Sequence, residues 1–195
     1  CARDCSTLEQ DLVLCEKAGF DYIEIRLDML TDYLKRHTVE ELAAFFCTSR
    51  LKPHAFNALY LYPEFLSEGD DEARQKELLE EFRLGCEVGR AIGSHYFIIV
   101  PPLQRDPAGG PYTGSWEDTF SNCVRILKEL SRRAEPYDMN LCFELVGFER
   151  SSVRSIGQAD AVVRAVDRPN VGFVFDSYNI FLNGGCNDFS AIRSV

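Results

Sequence analysis

The sequence has no CxxC pair, no GxGxxG and no GxxxxGK[ST], and no apolar run near the roughly 20 residues that a membrane-spanning helix needs. Without the glycine-rich turns that cradle phosphates, a dinucleotide or nucleoside triphosphate site is not expected. The one double glycine, Gly109-Gly110, sits inside a loop and reads as a turn. The first residues, CARDCSTLEQ, contain no apolar segment of the signal-peptide kind. They also lack an initiating Met, so the chain is read as beginning inside a longer protein or as lacking a disordered start. Histidine is scarce: His37 precedes a helix cap, and His54 and His95 fall at the amino-terminal ends of predicted strands, so none is expected to bind a metal. Basic charge is in the minority, with 21 Lys and Arg against 31 Asp and Glu, a net charge of −10 and a pI of about 4.8. That balance argues against nucleic acid or an anionic membrane as partner. Cysteine is not scarce, but its eight copies lie unpaired in spacing, several within apolar periodic stretches. They read as free thiols of a reducing cytoplasm.

What is present is an alternation of strand and helix. Ser6-Thr7-Leu8-Glu9 reads as a capping box, followed by Leu8, Leu12 and Cys15 at helical spacing and by Gly19 as a left-handed stop. DYIEIR then reads as a strand. Thr38 to Glu41 is a second capping box, and HAFNALYLY a second strand. A long helix is expected over Asp71 to Ile92, with Gly85 and Gly89 admitting a close neighbour and Gly93 ending it. HYFIIVPP, NLCFELV and VGFVFD complete five strands. Ser115 caps one intervening helix, and Ile156 to Val166 forms another. Strands separated by single amphipathic helices imply parallel pairing in one domain over 1–195. A doubly wound open sheet and a (β/α)8 barrel both satisfy that pattern. For a barrel, whose usual length is about 250 residues, the chain is short.

In either architecture function gathers at the carboxyl ends of the strands. Those ends read Glu24, Arg26 and Asp28, then Asn57, then Pro101-Pro102, then Glu144, then Asp176 with Asn179. Glu144 and Asp176 each close an apolar run, and a charge there is costly unless paired. Two carboxylates on neighbouring strands repel unless they share a proton or a divalent cation. Oxygen ligands of this kind suit Mn, Mg, Zn or Fe(II). The structural alternative pairs Glu144 with Arg26 or Arg150 and uses Asp176 to cap the following loop.

The segments LEQDLVLCEKAGFDYIEIR, KPHAFNAL, AEPYDMNLCFELVG and RPNVGFVFDSYN resemble the sugar phosphate isomerase/epimerase superfamily of xylose-isomerase-like barrels, and within it the inosose isomerases of inositol catabolism. The resemblance covers the chain apart from residues 103–114. It implies an α/β fold, an incomplete (β/α)8 TIM barrel whose first strand and last βα units lie outside these 195 residues. It implies one divalent metal ion as cofactor, with Glu144 and Asp176 as two of four ligands, the remaining His and Glu falling beyond Val195. It implies a sugar or cyclic polyol ketone as substrate, with a homo-oligomer allowed. Glu144 would be the catalytic acid/base, abstracting a proton beside a carbonyl to give an enediolate. Asn57, Asn179, Arg26 and Arg150 would contact substrate hydroxyls. The family commonly has His where this chain has Asn179. An amide hydrogen-bonds but does not shuttle a proton near neutral pH. An inosose dehydratase of the same fold and a sugar-binding barrel without catalysis are the alternatives. The DNA-directed endonucleases of the superfamily are disfavoured by the absence of histidine after His95.

Overall fold

Five strands pair in parallel in the sequential order β1-β2-β3-β4-β5 in a computed structural model that describes residues 5–61, 72–104 and 110–184. The elements run α1 (Leu8–Ala18), β1 (Tyr22–Arg26), α2 (Leu27–Tyr33), α3 (Val39–Thr48), β2 (Lys52–Tyr60), α4 (Glu72–Ile92), β3 (Tyr96–Val100), α5 (Trp116–Ala134), a 3-10 turn (Glu135–Tyr137), β4 (Asn140–Glu144), α6 (Ile156–Val166), β5 (Val171–Val174) and α7 (Ser177–Leu182). A doubly wound sheet reverses its strand order at a switch point. The order here never reverses, so of the two candidate architectures the barrel segment is the one observed.

The periodicities explain the layers. In strands, alternate residues face opposite sides. Ile23, Ile25, Phe56, Phe97, Ile99, Leu141 and Phe143 point to one face, where they pack with Leu12, Leu42, Phe82, Leu127 and Val162 of the helices. The opposite face, which lines the barrel interior, carries Ala55, Ala58, Ile98, Val100 and Val146, with Cys142 and Val174 against them. The two helix glycines work as expected. A Cβ on Gly85 would collide with the Phe97 ring, and one on Gly89 with Met139. Their absence lets α4 lie close on β2 and β3.

Helix ends follow from local chemistry, with one shift from expectation. Thr38 and Glu41 form the second capping box as read. The first is displaced by one residue: Thr7, not Ser6, is the N-cap, and Gln10, not Glu9, returns the reciprocal bond. Gly19 and Gly93 take positive φ, 79° and 82°, where a side chain would be strained. Asp71, expected to start the long helix, lies outside the described residues. Helix α2 was not expected. It follows Arg26 without an intervening turn, and Leu27, Met29, Leu30 and Tyr33 bury one side of it. Among the described residues, six cysteines are free thiols. Burial pushes Cys86 and Cys123 up to about 12 and Cys142 to about 11, so these are inert packing groups. No helix among the described residues is long and apolar enough to cross a membrane.

Candidate active site

The register of the last two strands sets the site. Glu144, the final residue of β4, is level with Val174 of β5. Asp176 lies two residues further on in extended backbone (φ −99°, ψ 114°) and so returns to the side that Glu144 faces. The carboxylates converge on a single amide. Asn179 Nδ2 donates to Glu144 Oε1 at 3.1 Å and to Asp176 Oδ2 at 2.9 Å. Asp176 is also the N-cap of α7, its Oδ1 accepting from the Tyr178 N–H at 2.8 Å. The capping role given as an alternative for Asp176 is therefore real, and it leaves Oδ2 to accept from Asn179.

Asn179 is buried, with 6% of its surface exposed. Its Oδ1 accepts from the Gly147 N–H at 3.2 Å, in the loop that leaves β4. That loop is fastened in turn to the segment after β3. Gln104 N donates to Arg150 O (2.8 Å), Ser152 N to Pro102 O (3.0 Å) and Tyr112 N to Glu149 O (3.0 Å). The middle of the 103–114 loop, 105–109, lies outside the described residues.

The remaining expected site residues divide between two places. Arg150 is half-buried in the β4–α6 loop, its Nη1 donating to Gln104 O at 3.4 Å. The ion pair between Glu144 and Arg26 or Arg150, the structural alternative, is not among the contacts of the described residues. Arg26 instead forms a two-point pair with Asp28, Nε to Oδ1 at 3.1 Å and Nη2 to Oδ2 at 2.8 Å. Asn57 is level with Arg26 on β2 and donates through Nδ2 to Glu24 Oε2 at 3.2 Å. Arg26, Asp28, Asn57, Tyr60 and Glu81 line a cleft of about 400 Å³ at the carboxyl ends of β1 and β2. Of the histidines, His37 lies between Glu9 and Glu41, His54 between Tyr22 and Tyr96, and His95 beside Asp138.

Glu24 has a part that the sequence reading did not give it. From β1 its charge reaches Glu144, so three carboxylates bear on one region. Burial, then Asp176, then Glu24, raise the Glu144 carboxyl to about 7 from an ordinary 4.5, while the Asn179 hydrogen bond pulls it down. No group of three or more His, Cys, Asp or Glu side chains among the described residues is placed to hold a metal. Glu144 and Asp176 nonetheless suit a divalent cation. They are hard oxygen donors in mutual repulsion, and a cation between them would relieve both the repulsion and the cost of burying Glu144 as an anion.

These charges set two opposite pH dependences. Because its folded-state value is raised, a protonated Glu144 favours the metal-free fold. That contribution is complete below about 4.5 and lost as pH rises through about 7. Metal-free protein is expected to melt at a higher temperature near pH 5.5 than near pH 8 at this site's expense. Cation binding needs the carboxylate, so zinc affinity is expected to fall as pH drops below about 7. Thermal melts of wild type and Glu144→Gln at both pH values, with calorimetric zinc titrations, measure both signs.

Comparison with known proteins places the chain in a wider setting. Residues 12–193 match the family model described as a xylose isomerase-like TIM barrel. The inosose isomerase of Bacillus velezensis is 39% identical over 180 residues, covering 92% of this chain and 60% of that protein. The inosose isomerase of Bacillus subtilis is 36% identical over 190 residues, covering 94% and 64%. The chain thus spans about three-fifths of the length of the curated relatives it matches. Among solved structures, the IolI protein with a bound zinc atom superposes with a TM-score of 0.81 at 34% identity, over 97% of this chain and 64% of that one. D-psicose 3-epimerase, solved in the presence of D-fructose, shares the fold with a TM-score of 0.71 at 18% identity, over 97% and 64%.

Proposed function

The chain belongs to the xylose isomerase-like TIM-barrel family, and on that premise we propose that it carries half of the active site of a divalent-metal-dependent isomerase or epimerase acting on a keto-polyol of the inosose class. The observation that carries the reading is the convergence of Glu144 and Asp176, from the ends of adjacent parallel strands, on one buried amide. The relatives named inosose isomerase and the zinc-bearing IolI structure support the substrate class and the cofactor.

Glu144 and Asp176 would hold the cation. Bound there, a divalent ion supplies Lewis-acid polarisation of a ketone and its neighbouring hydroxyl. The chain's own residues do the rest. Glu144 takes the proton from the carbon between carbonyl and hydroxyl, and the electron pair of that C–H bond moves into an enediolate. A proton returned to the neighbouring carbon, with the hydroxyl proton passing to the former carbonyl oxygen, gives the isomer; one returned to the opposite face of the first carbon gives the epimer. A base acting near neutral pH works best with its own value close to 7, which burial, and then the neighbouring Asp176 and Glu24 carboxylates, give Glu144. Asp176, tied by its cap bond and by Asn179, keeps its carboxylate fixed. Arg26 and Asn57 on the cleft side, and Arg150 in the β4–α6 loop, supply donors for substrate hydroxyls.

Full-length protein incubated with an inosose in deuterated water is expected to exchange the substrate's α-proton. Exchange should stop on chelation and resume when zinc or manganese is returned. Substrate that stays undeuterated with every divalent metal would overturn the reading, and stoichiometric loss of water would replace isomerisation by dehydration.

A further inference from the structure

Asn179 was expected at the substrate, but every polar atom of its side chain is already engaged inside the protein. Nδ2 serves Glu144 and Asp176, and Oδ1 takes the Gly147 N–H. It is also 6% exposed, which leaves little surface for a ligand. A primary amide has two N–H donors and one oxygen acceptor. Here both donors go to carboxylate oxygens on separate elements, one at the end of β4 and one at the start of α7. The acceptor goes to a third element, the loop after β4. No other side chain among the described residues touches both acids through hydrogen bonds recorded in the structure.

Gly147 shows that this junction is built closely. A Cβ at that position would run into the carbonyl oxygen of Asn179 and the side chain of Leu182. The loop therefore lies directly on α7, and Arg154 Nη2 donates to the Gly147 carbonyl at 3.4 Å. A two-carboxylate site loses affinity when its ligands are free to swing apart, because ordering them on binding costs conformational entropy. An amide donating to both removes that freedom beforehand and screens part of their repulsion.

We infer that Asn179 is a positioning residue: it locks the Glu144 and Asp176 carboxylates to each other and to the Gly147 loop, acting on the metal through its ligands and not on the substrate. This rests on the proposed metal-dependent function for its consequence in catalysis. The lock itself is a property of the metal-free chain.

Two variants of the full-length protein test it. Asn179→Ala removes the amide, and Asn179→Leu removes its polar atoms while keeping its bulk, with circular dichroism to confirm folding. Zinc and manganese titrated calorimetrically into the metal-free proteins should bind about 10- to 100-fold more weakly to both variants than to wild type. At saturating metal, kcat should fall while KM for the inosose changes less than about threefold, as befits a group outside the substrate shell. Unchanged metal affinity with a KM rise of about tenfold or more would place Asn179 on the substrate and overturn the inference. A second arm needs no metal. In metal-free wild type, the Asn179 side-chain amide protons should exchange slowly with water by nitrogen-15 NMR, and Glu144→Ala should speed them. Exchange at the rate of a free amide would overturn the lock whatever the metal does. A protein that binds no divalent ion yet protects this amide would sink the proposed function and leave the lock standing.

Discussion

Full-length protein carrying Glu144→Gln is expected to lose about 10²- to 10⁴-fold in the rate of α-proton exchange at saturating metal, with little change in substrate affinity. The substitution is conservative in shape. Gln keeps an oxygen that accepts from Asn179 Nδ2, where Glu144 now accepts at 3.1 Å, so the junction with α7 is retained. What it removes is the anion, the only form that takes a proton. It also removes one carboxylate from a crowd in which Asp176 and Glu24 both bear on Glu144. The variant should therefore melt no lower than wild type at pH 8 in the absence of metal, since a neutral amide does not pay the cost of a buried charge. Lower activity with undiminished stability separates chemistry from folding. Wild-type exchange in the variant would take Glu144 out of the proton-transfer step and leave it, at most, a ligand. Asp176 behaves differently because its carboxylate is half occupied by the Tyr178 N–H. Its substitution should act through metal affinity and be partly recovered by excess metal.

The alternation of β-formers with capped amphipathic helices was enough to place all five strands, with starts within about two residues of those observed. This worked because each strand is fully apolar on its helix-facing side, so the local pattern and the tertiary burial agree. Two local features were hidden by local ambiguity. Ser6 and Thr7 are both good caps, and only the pairing with Gln10 decides between them. Helix α2 begins at Leu27, directly after the strand read as ending at Arg26, and no glycine or proline marks the change.

The site was legible in part, and the boundary between what could be read and what could not is physical. That Glu144 and Asp176 sit at strand ends follows from counting residues. That they meet at one amide depends on the level of β4 against β5, on a helix of six residues after Asp176, and on a loop returning over it. None of these is local. Asn179 three residues beyond an acid reads equally as a group offered to a substrate or one turned inward, and only its burial and its contact with Gly147 distinguish them. Glu24 poses the same problem across a longer separation. Its position at a strand end was clear, but its bearing on Glu144 required β1 and β4 to share the barrel interior.

Gly147→Ala, a change of one methyl group, is expected to be among the most disruptive substitutions in the chain. The backbone there does not take a positive φ, so conformation alone would tolerate alanine. Space does not. The added Cβ would overlap a backbone carbonyl, that of Asn179, and lie 2.8 Å from Leu182 Cβ. Neither neighbour is the free end of a flexible side chain, so either the loop lifts or α7 moves. Overpacking of this kind costs about 1–3 kcal/mol. The Gly147 N–H to Asn179 Oδ1 bond would stretch or break, leaving buried groups unpaired at about 1–3 kcal/mol more. A loss of about 3 kcal/mol corresponds to a fall of roughly 6–12 °C in melting temperature for a domain of this size. The movement also carries Asn179 away from the two carboxylates, so zinc affinity should fall by about 10- to 100-fold in protein that remains folded. Differential scanning calorimetry and metal titration on the same preparation measure the pair. A melting temperature within a degree of wild type, with metal affinity unchanged, would mean that the β4–α6 loop does not rest on α7 in solution.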